Sequence, residues 1–178
     1  MSIIESLLVK LIPSSKYPNY LRRKGVKIGN NCEIYKSANF GSEPYLIEIG
    51  NHVRINSGVQ LFTHDGGLWV LRSDISGYDQ EFSDADIFKK IVIEDNVHIA
   101  TNAIIMPGVH IGKNSIVGCG AVVTHDIQSG SVVAGVPARK IETIQEYADK
   151  CRDKIDNTKH LNATEKKKYI LKKYNIKS

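Results

Sequence analysis

The chain has 178 residues and a formal net charge of +5, and its length is typical of one domain with a core of its own. Its basic excess is compatible with anionic partners, but no basic stripe interleaved with aromatic residues is present, which disfavours nucleic-acid binding. The three cysteines have neither metal-ligand spacing nor an even disulfide framework, so we expect a reducing, cytoplasmic setting.

The chain opens with a short apolar segment. Residues 2–12 are predicted to form an amphipathic helix, because four aliphatic side chains fall on one helical face: Ile4, Leu7, Leu8 and Leu11. The segment is too short to cross a bilayer, and no cleavage site of small residues follows it. We therefore interpret residues 1–24 as an N-terminal helical segment.

Residues 25–141 follow a period of six. Aliphatic or aromatic residues recur at this spacing at Ile28, Ile34 and Phe40, then, after a three-residue break at GSEPYLIE, at Ile49, Ile55 and Leu61, and later at Ile93, Ile99, Ile105, Ile111, Val117 and Val123. Turn-formers stand three positions after each member of the last group: Asn96, Asn102, Gly108, Asn114, Gly120 and Asp126. Neither an α-helix nor a single strand requires this period. The pattern predicts an all-β repeat, a parallel β-helix with about eighteen residues per coil.

The period is absent over residues 63–90, which we call the excursion loop. Such a long irregular segment is uncommon in a compact domain unless it is functional or disordered, and its Trp, Leu, Tyr and Phe residues argue against plain disorder. We predict that the loop packs over a site.

The repeats end at GVPARKI (135–141), which predicts a tight closing turn. Residues 142–178 are predicted to be a C-terminal helical extension, with helices near 142–156 and 163–174. Their lysines are expected to form a solvated face. Packing on the repeats, extending an oligomer and touching an anionic membrane surface all stay open as roles.

These motifs resemble the hexapeptide-repeat acyltransferases, in the branch of the sugar O-acetyltransferases and xenobiotic acetyltransferases. The resemblance rests on the hexads, on FTHD before the excursion loop, and on IVGCGAVVTHDI with AGVPARKI. It implies a left-handed β-helix and a homotrimer that binds acyl-coenzyme A between its subunits. The function it implies is acetyl-CoA-dependent O-acetylation of a sugar hydroxyl, with a cell-surface polysaccharide precursor as the acceptor.

His64 is the candidate general base, because it stands where the regular coil gives way to the excursion loop and where the family's catalytic histidine lies. Asp65 is a candidate to orient it, although adjacent side chains on an extended chain point apart, which favours a partner from elsewhere. Asn56, in the preceding rung, is a candidate contact for the acceptor or the oxyanion. In the loop, Arg72 is a candidate for holding the acceptor, and Trp69 either stacks on a sugar or anchors the loop.

Coenzyme A requires a groove that approaches the backbone closely, and small residues permit this approach. By the resemblance, five residues line the pantetheine arm: Ala100, Thr101, Gly118, Cys119 and Gly120. Thr124 and His125 follow further along. Arg139 and Lys140 are positioned for the phosphates, where charge-assisted hydrogen bonds are strong, or else form a solvated charge pair.

The same pattern leaves alternative functions open, within enzymes and outside them. Within enzymes, the alternatives are N-acetylation of an amino sugar and O-acetylation of serine or an antibiotic, since a fold does not determine an acceptor. A zinc enzyme on this scaffold needs a His-x4-His pair, which the sequence lacks, so we expect no metal. A purely structural β-helix needs repetitive arrays of one residue type on its outward faces, whereas the outward residues here are of several types.

Overall fold

The computed structural model describes Val9 and residues 11–176, so the helix predicted over residues 2–12 falls almost wholly outside the described residues. The described residues form thirteen short strands: β1 (Lys27–Ile28), β2 (Glu33–Ile34), β3 (Ile47–Ile49), β4 (Arg54–Ile55), β5 (Gln60–Leu61), β6 (Ile91–Ile93), β7 (His98–Ile99), β8 (Ile104–Ile105), β9 (His110–Ile111), β10 (Ile116–Val117), β11 (Val122–Val123), β12 (Ser131–Ala134) and β13 (Arg139–Thr143). Helices lie at α1 (Tyr17–Arg23), α2 (Leu68–Leu71), α3 (Asp79–Phe82), α4 (Ile144–Cys151) and α5 (Ala163–Lys173).

Successive strands from β3 to β11 fall on three parallel sheets in rotation. The first sheet holds β1, β3, β6 and β9, and the third holds β5, β8 and β11. The second holds the parallel strands β2, β4, β7, β10 and β12, with β13 added antiparallel at its edge. In the second sheet the paired residues are Glu33, Arg54, His98 and Ile116, so successive circuits are 21, 44 and 18 residues long. The last spacing agrees with the predicted coil, the first contains the GSEPYLIE break, and the middle one contains the excursion loop.

The hexad aliphatics form the core of this stack. Their exposed fractions are 0–1% at Ile93, Ile99, Ile105, Ile111, Val117 and Val123, as the periodicity predicts. Inward residues therefore pack against those of the neighbouring circuits, because one circuit alone has no second layer to cover its apolar side chains.

The corners also follow the sequence pattern at five of the six predicted turn-formers. Positive φ angles occur at Asn96, Asn102, Gly108, Asn114 and Gly120, the left-handed conformation that these residues adopt at little steric cost. Asp126 differs, since it has no positive φ. Its carboxylate instead accepts a hydrogen bond from the backbone N of His110 at 2.8 Å, which fixes the local turn by a side-chain contact.

The excursion loop leaves and rejoins the stack through a narrow neck. Lys89 N donates to Thr63 O at 2.7 Å, Asp65 N donates to Ile87 O at 3.0 Å, and His64 pairs with Phe88 in an antiparallel bridge. Between these contacts the loop contains α2, a 3₁₀ turn at Asp74–Ser76, and α3. The neck therefore fixes both ends of the loop at the position of His64.

The end of the repeats is a hairpin and not only the predicted turn. β13 runs antiparallel to β12 and continues to Thr143, so α4 begins at Ile144, two residues later than the predicted helix start. The chain divides into two compact units, residues 1–146 and 147–178. We call the second the C-terminal unit; it contains α5, which begins at the Asn162 cap and ends one residue before the predicted limit.

Candidate active site

His64 forms a hydrogen bond to a carboxylate from the preceding circuit. Its Nδ1 lies 3.0 Å from Oε2 of Glu43, and the same oxygen accepts a hydrogen bond from Oγ1 of Thr63 at 2.8 Å. The Glu43 side chain is 15% exposed and the His64 side chain is 41% exposed. One oxygen of a mostly buried carboxylate therefore fixes the imidazole, while the ring itself stays accessible.

The protonation state of Glu43 determines the roles of the two imidazole nitrogens. Burial pushes the pKa of Glu43 upward, but hydrogen bonds from His64, Ser42 and Thr63 outweigh it and bring the pKa below its ordinary value. An ionised carboxylate only accepts hydrogen bonds, so Nδ1 of a neutral His64 carries the proton and donates it. Nε2 then keeps its lone pair, which a general base requires.

Glu43 was not identified in the sequence analysis. It belongs to the GSEPYLIE break and stands 21 residues before His64, which is one circuit of that part of the stack. Asp65, the carboxylate proposed from sequence, instead accepts a hydrogen bond from Gly67 N at 2.8 Å and caps its own turn. The three-residue insertion was the available signal, because it lengthens the circuit and places an extra polar side chain next to FTHD.

Asn56 lies at the end of β4, where its backbone N donates to Ile99 O at 3.0 Å. Its Oδ1 is buried and has no hydrogen-bond partner among the described residues. A buried oxygen without a partner is costly, so this atom has an unused capacity to accept a hydrogen bond. The structure places it one strand before the strand that leads to His64 and records no contact between the two side chains.

The two loop residues proposed from sequence have different surroundings. Arg72 donates from Nε to Ala85 O at 3.1 Å and forms an ion pair with Asp86, so it joins the two arms of the loop. Trp69 is 79% exposed, which disfavours the second of its two sequence interpretations, that it anchors the loop. The neighbouring Leu68 is 5% exposed and provides that anchor.

The predicted pantetheine strip occupies two adjacent circuits. Gly120 N donates to Thr101 O at 2.9 Å, and Ala100 N donates to Val117 O at 2.9 Å, immediately before Gly118. The structure therefore stacks Ala100–Thr101 against Gly118–Gly120. Cys119 and Gly120 are exposed, whereas Ala100 is buried, so the strip offers backbone at the surface with little side-chain cover.

The remaining predicted cofactor residues lie near the terminal hairpin. His125, Arg139 and Lys140 line one groove of about 330 Å³, together with Asp126 and Gln128. Thr124 stands beside it, with its Oγ1 2.8 Å from Nδ1 of His125. Two fixed cations and a histidine in one groove are suited to a phosphate group.

The described part of the chain contains no group of three or more His, Cys, Asp or Glu side chains arranged to hold a metal ion. Its helices also include none with the length and apolarity needed to cross a membrane.

Comparisons with known proteins agree with the repeat. Residues 90–125 match the family model "Bacterial transferase hexapeptide (six repeats)". A Staphylococcus aureus relative, Protein CapG, is 43% identical over 173 residues, which cover 96% of each chain. A 2,3,4,5-tetrahydropyridine-2,6-dicarboxylate N-acetyltransferase of Staphylococcus aureus is 43% identical over 72 residues, 40% of this chain and 30% of that protein.

Among solved structures, a hexapeptide-repeat-containing acetyltransferase from Vibrio cholerae, in complex with acetyl coenzyme A, is 31% identical with a TM-score of 0.51. The match covers 67% of this chain and 61% of that one. The relative aligned over nearly the whole chain, the family model and this structure lead to one assignment: the chain belongs to the hexapeptide-repeat acyltransferase family.

Proposed function

We propose that this chain transfers an acetyl group from acetyl-coenzyme A to a hydroxyl of a sugar in a cell-surface polysaccharide precursor. The observation that carries the proposal is the hydrogen bond between Glu43 and His64, which leaves Nε2 of an accessible histidine as a base. The donor is supported by the Vibrio cholerae neighbour, which was solved with acetyl coenzyme A. The acceptor class rests on the resemblance to sugar O-acetyltransferases.

In this mechanism, Nε2 of His64 removes the proton of the acceptor hydroxyl as its oxygen attacks the thioester carbonyl. The positive charge that forms on the imidazole is stabilised by the Glu43 carboxylate, 3.0 Å from Nδ1. Backbone amides near the thioester stabilise the developing oxyanion. When the carbon–sulfur bond breaks, His64 returns the proton to the leaving thiolate, so the histidine ends the cycle neutral.

The proposal includes the architecture around this site. The three sheets close into a left-handed parallel β-helix, and three chains assemble so that coenzyme A lies between subunits. Exposed apolar side chains in the excursion loop support such an assembly, since Trp69 is 79% and Ile75 is 94% exposed in the single chain. The free cysteines agree with a cytoplasmic enzyme, and peripheral association with a membrane surface is part of the same proposal.

A second candidate is N-acetylation of an amine, such as that of an amino sugar. The observation that favours it is the match to the N-acetyltransferase, which is 43% identical over 72 residues. The same histidine would then take a proton from an attacking amine. An acceptor panel with matched hydroxyl and amino sugars, scored by thiol release, separates the two candidates.

Replacing the base tests the proposal directly. His64→Ala should lower the rate of acetyl transfer by roughly a hundredfold to ten-thousandfold, the usual contribution of a general base. His160→Ala is a matched control, because this histidine is exposed and lies in the C-terminal unit. Circular dichroism and light scattering check that fold and assembly are unchanged. Near wild-type turnover of His64→Ala would show that the assignment is wrong.

A further inference from the structure

The net positive charge of the chain is concentrated in the C-terminal unit. Residues 147–178 contain ten Lys and Arg residues against four Asp and Glu residues, whereas residues 1–146 contain 14 basic and 15 acidic residues. The proposed acetyl transfer uses none of the charges in this unit. A chain that is close to neutral elsewhere therefore has one strongly basic module of 32 residues.

A carboxylate holds one face of α5 in place within this unit. Asp156 accepts hydrogen bonds from the hydroxyl of Tyr169 at 2.6 Å and from Nζ of Lys173 at 2.7 Å. The hydrogen bonds from Lys173 and Tyr169 lower the pKa of Asp156, so it is ionised at neutral pH. The start of α5 is fixed by a capping box between Asn162 and Glu165. The helix therefore has a defined orientation on the segment that precedes it.

A second stripe of α5 lies on another side of the helix. Lys167, Ile170, Leu171 and Tyr174 are spaced at i, i+3, i+4 and i+7, so they follow one face. Ile170 is 40% exposed, Tyr174 is 62% exposed, and Ile176 beyond the helix is 54% exposed. Exposed lysines border this stripe at position 166 on one side and at position 168 on the other. The result is a stripe with two exposed apolar side chains, Ile170 and Tyr174, and one partly buried, Leu171, between cations.

We infer that this stripe of α5 docks the protein on an anionic lipid surface. Lysine ammonium groups attract acidic headgroups, and aliphatic and tyrosine side chains are suited to the boundary between headgroups and acyl chains. Nucleic acid fits less well, because the cations of α5 are all lysines and the stripe offers one aromatic ring, that of Tyr174, for stacking. The helix has eleven residues and would lie in the plane of the interface.

The inference rests on the membrane association included in the proposed function and names its surface, and it can be tested without acetyl transfer. The probes are vesicles of phosphatidylcholine alone and vesicles of phosphatidylcholine mixed with phosphatidylglycerol, sedimented with the full chain at low and at moderate salt. We expect binding to the mixed vesicles, weaker binding as salt rises, and little binding to phosphatidylcholine alone. Equal binding to the two vesicle types, or to neither, would overturn the inference.

Two variants separate the contribution of lysine charge to vesicle binding from the contribution of apolar side chains that enter the interface. The triple variant Lys166→Gln/Lys167→Gln/Lys168→Gln should bind the mixed vesicles at least roughly tenfold more weakly. Its control is Lys16→Gln/Arg23→Gln/Lys113→Gln, which changes the net charge equally at exposed positions outside the C-terminal unit and should bind as the wild type does. If the two triple variants bind alike, only net charge matters and the assigned surface is wrong.

Ile170→Ser/Tyr174→Ser keeps every lysine and should lose the binding that persists at moderate salt. No change in this variant would show that the apolar stripe does not enter the interface. A change in its oligomeric state by light scattering would identify a second copy of the chain as the occupant, and equal competition by duplex DNA would identify nucleic acid. Unchanged thiol release from acetyl-coenzyme A in all variants would keep this result separate from the acetyl-transfer proposal.

Discussion

The geometry at His64 explains how a partly exposed imidazole can be held in one orientation. Glu43 contributes one oxygen that receives hydrogen bonds from Nδ1 of His64 and from Thr63. The contact stabilises the neutral tautomer with a free Nε2 and, once a proton arrives, the imidazolium. The rings of Phe88 and His64 meet edge to face, with their centroids 6.4 Å apart.

Glu43→Gln tests this positioning role. We expect at least about a tenfold lower kcat with a smaller change in KM, because the amide cannot stabilise the imidazolium by charge. Asp65→Asn is a matched control on the adjacent carboxylate, which contacts Gly67 N and should leave kcat nearly unchanged. The measurement is steady-state thiol release with each purified variant. A larger loss of kcat in Asp65→Asn than in Glu43→Gln would contradict the assignment.

At the scale of the elements, glycine follows three of the four strands of the first sheet, and Glu94 follows the fourth. We call Gly29, Gly50 and Gly112 the glycine column, because each follows a strand of that sheet. A Cβ on Gly29 would lie 2.6 Å from the carbonyl of Gly50, and one on Gly112 would lie 2.5 Å from Ser129 N. Backbone of adjacent circuits therefore approaches more closely here than a Cβ permits.

Gly50→Ala should destabilise the fold by about 1–3 kcal/mol, the usual range for overpacking, since its Cβ would lie 2.8 Å from the backbone N of Asp95. Gly66→Ala makes the same chemical change at a position where no atom lies within 4 Å of the added Cβ. That control should change stability by less than about 1 kcal/mol. Urea unfolding of both variants measures the difference. Equal midpoints would show that the circuits are less closely spaced than the column implies.

The sequence predicted those elements that depend on the local six-residue period. The inward column and five of six corners follow from the six-residue spacing, since every hexad satisfies the same local requirement. The β12–β13 hairpin was not predicted, because its strands pair antiparallel with a shifted register near Val132 and leave the period. Glu43 was not predicted for a related reason. Its contact with His64 depends on the length of a circuit that contains an insertion, and the six-residue period does not give that length.

At the scale of the whole molecule, the proposed site residues occupy separate parts of one chain. His64 and Glu43 stand at the neck of the excursion loop, whereas Arg139 and Lys140 line a groove beside the terminal hairpin. The proposed trimer accounts for this separation, because a cyclic assembly brings different patches of neighbouring subunits into contact. It also provides a partner surface for the exposed Trp69 of the loop.

Mixing two inactive variants tests whether the site is shared. His64→Ala removes the base, and Cys119→Trp places a large side chain at an exposed position of the pantetheine strip. If His64 and the strip come from different subunits, trimers containing both variants should restore about a third of the sites, since either mixed composition has one interface of three that joins an intact His64 to an intact strip. Coexpression with two tags isolates the mixed species, whose mass should be three times the 19.8 kDa of one chain.

The control pairs His64→Ala with the double variant His64→Ala/Cys119→Trp, and these mixed trimers should restore no active site. Activity that stays at the control level in the mixed trimers would place base and strip in the same subunit.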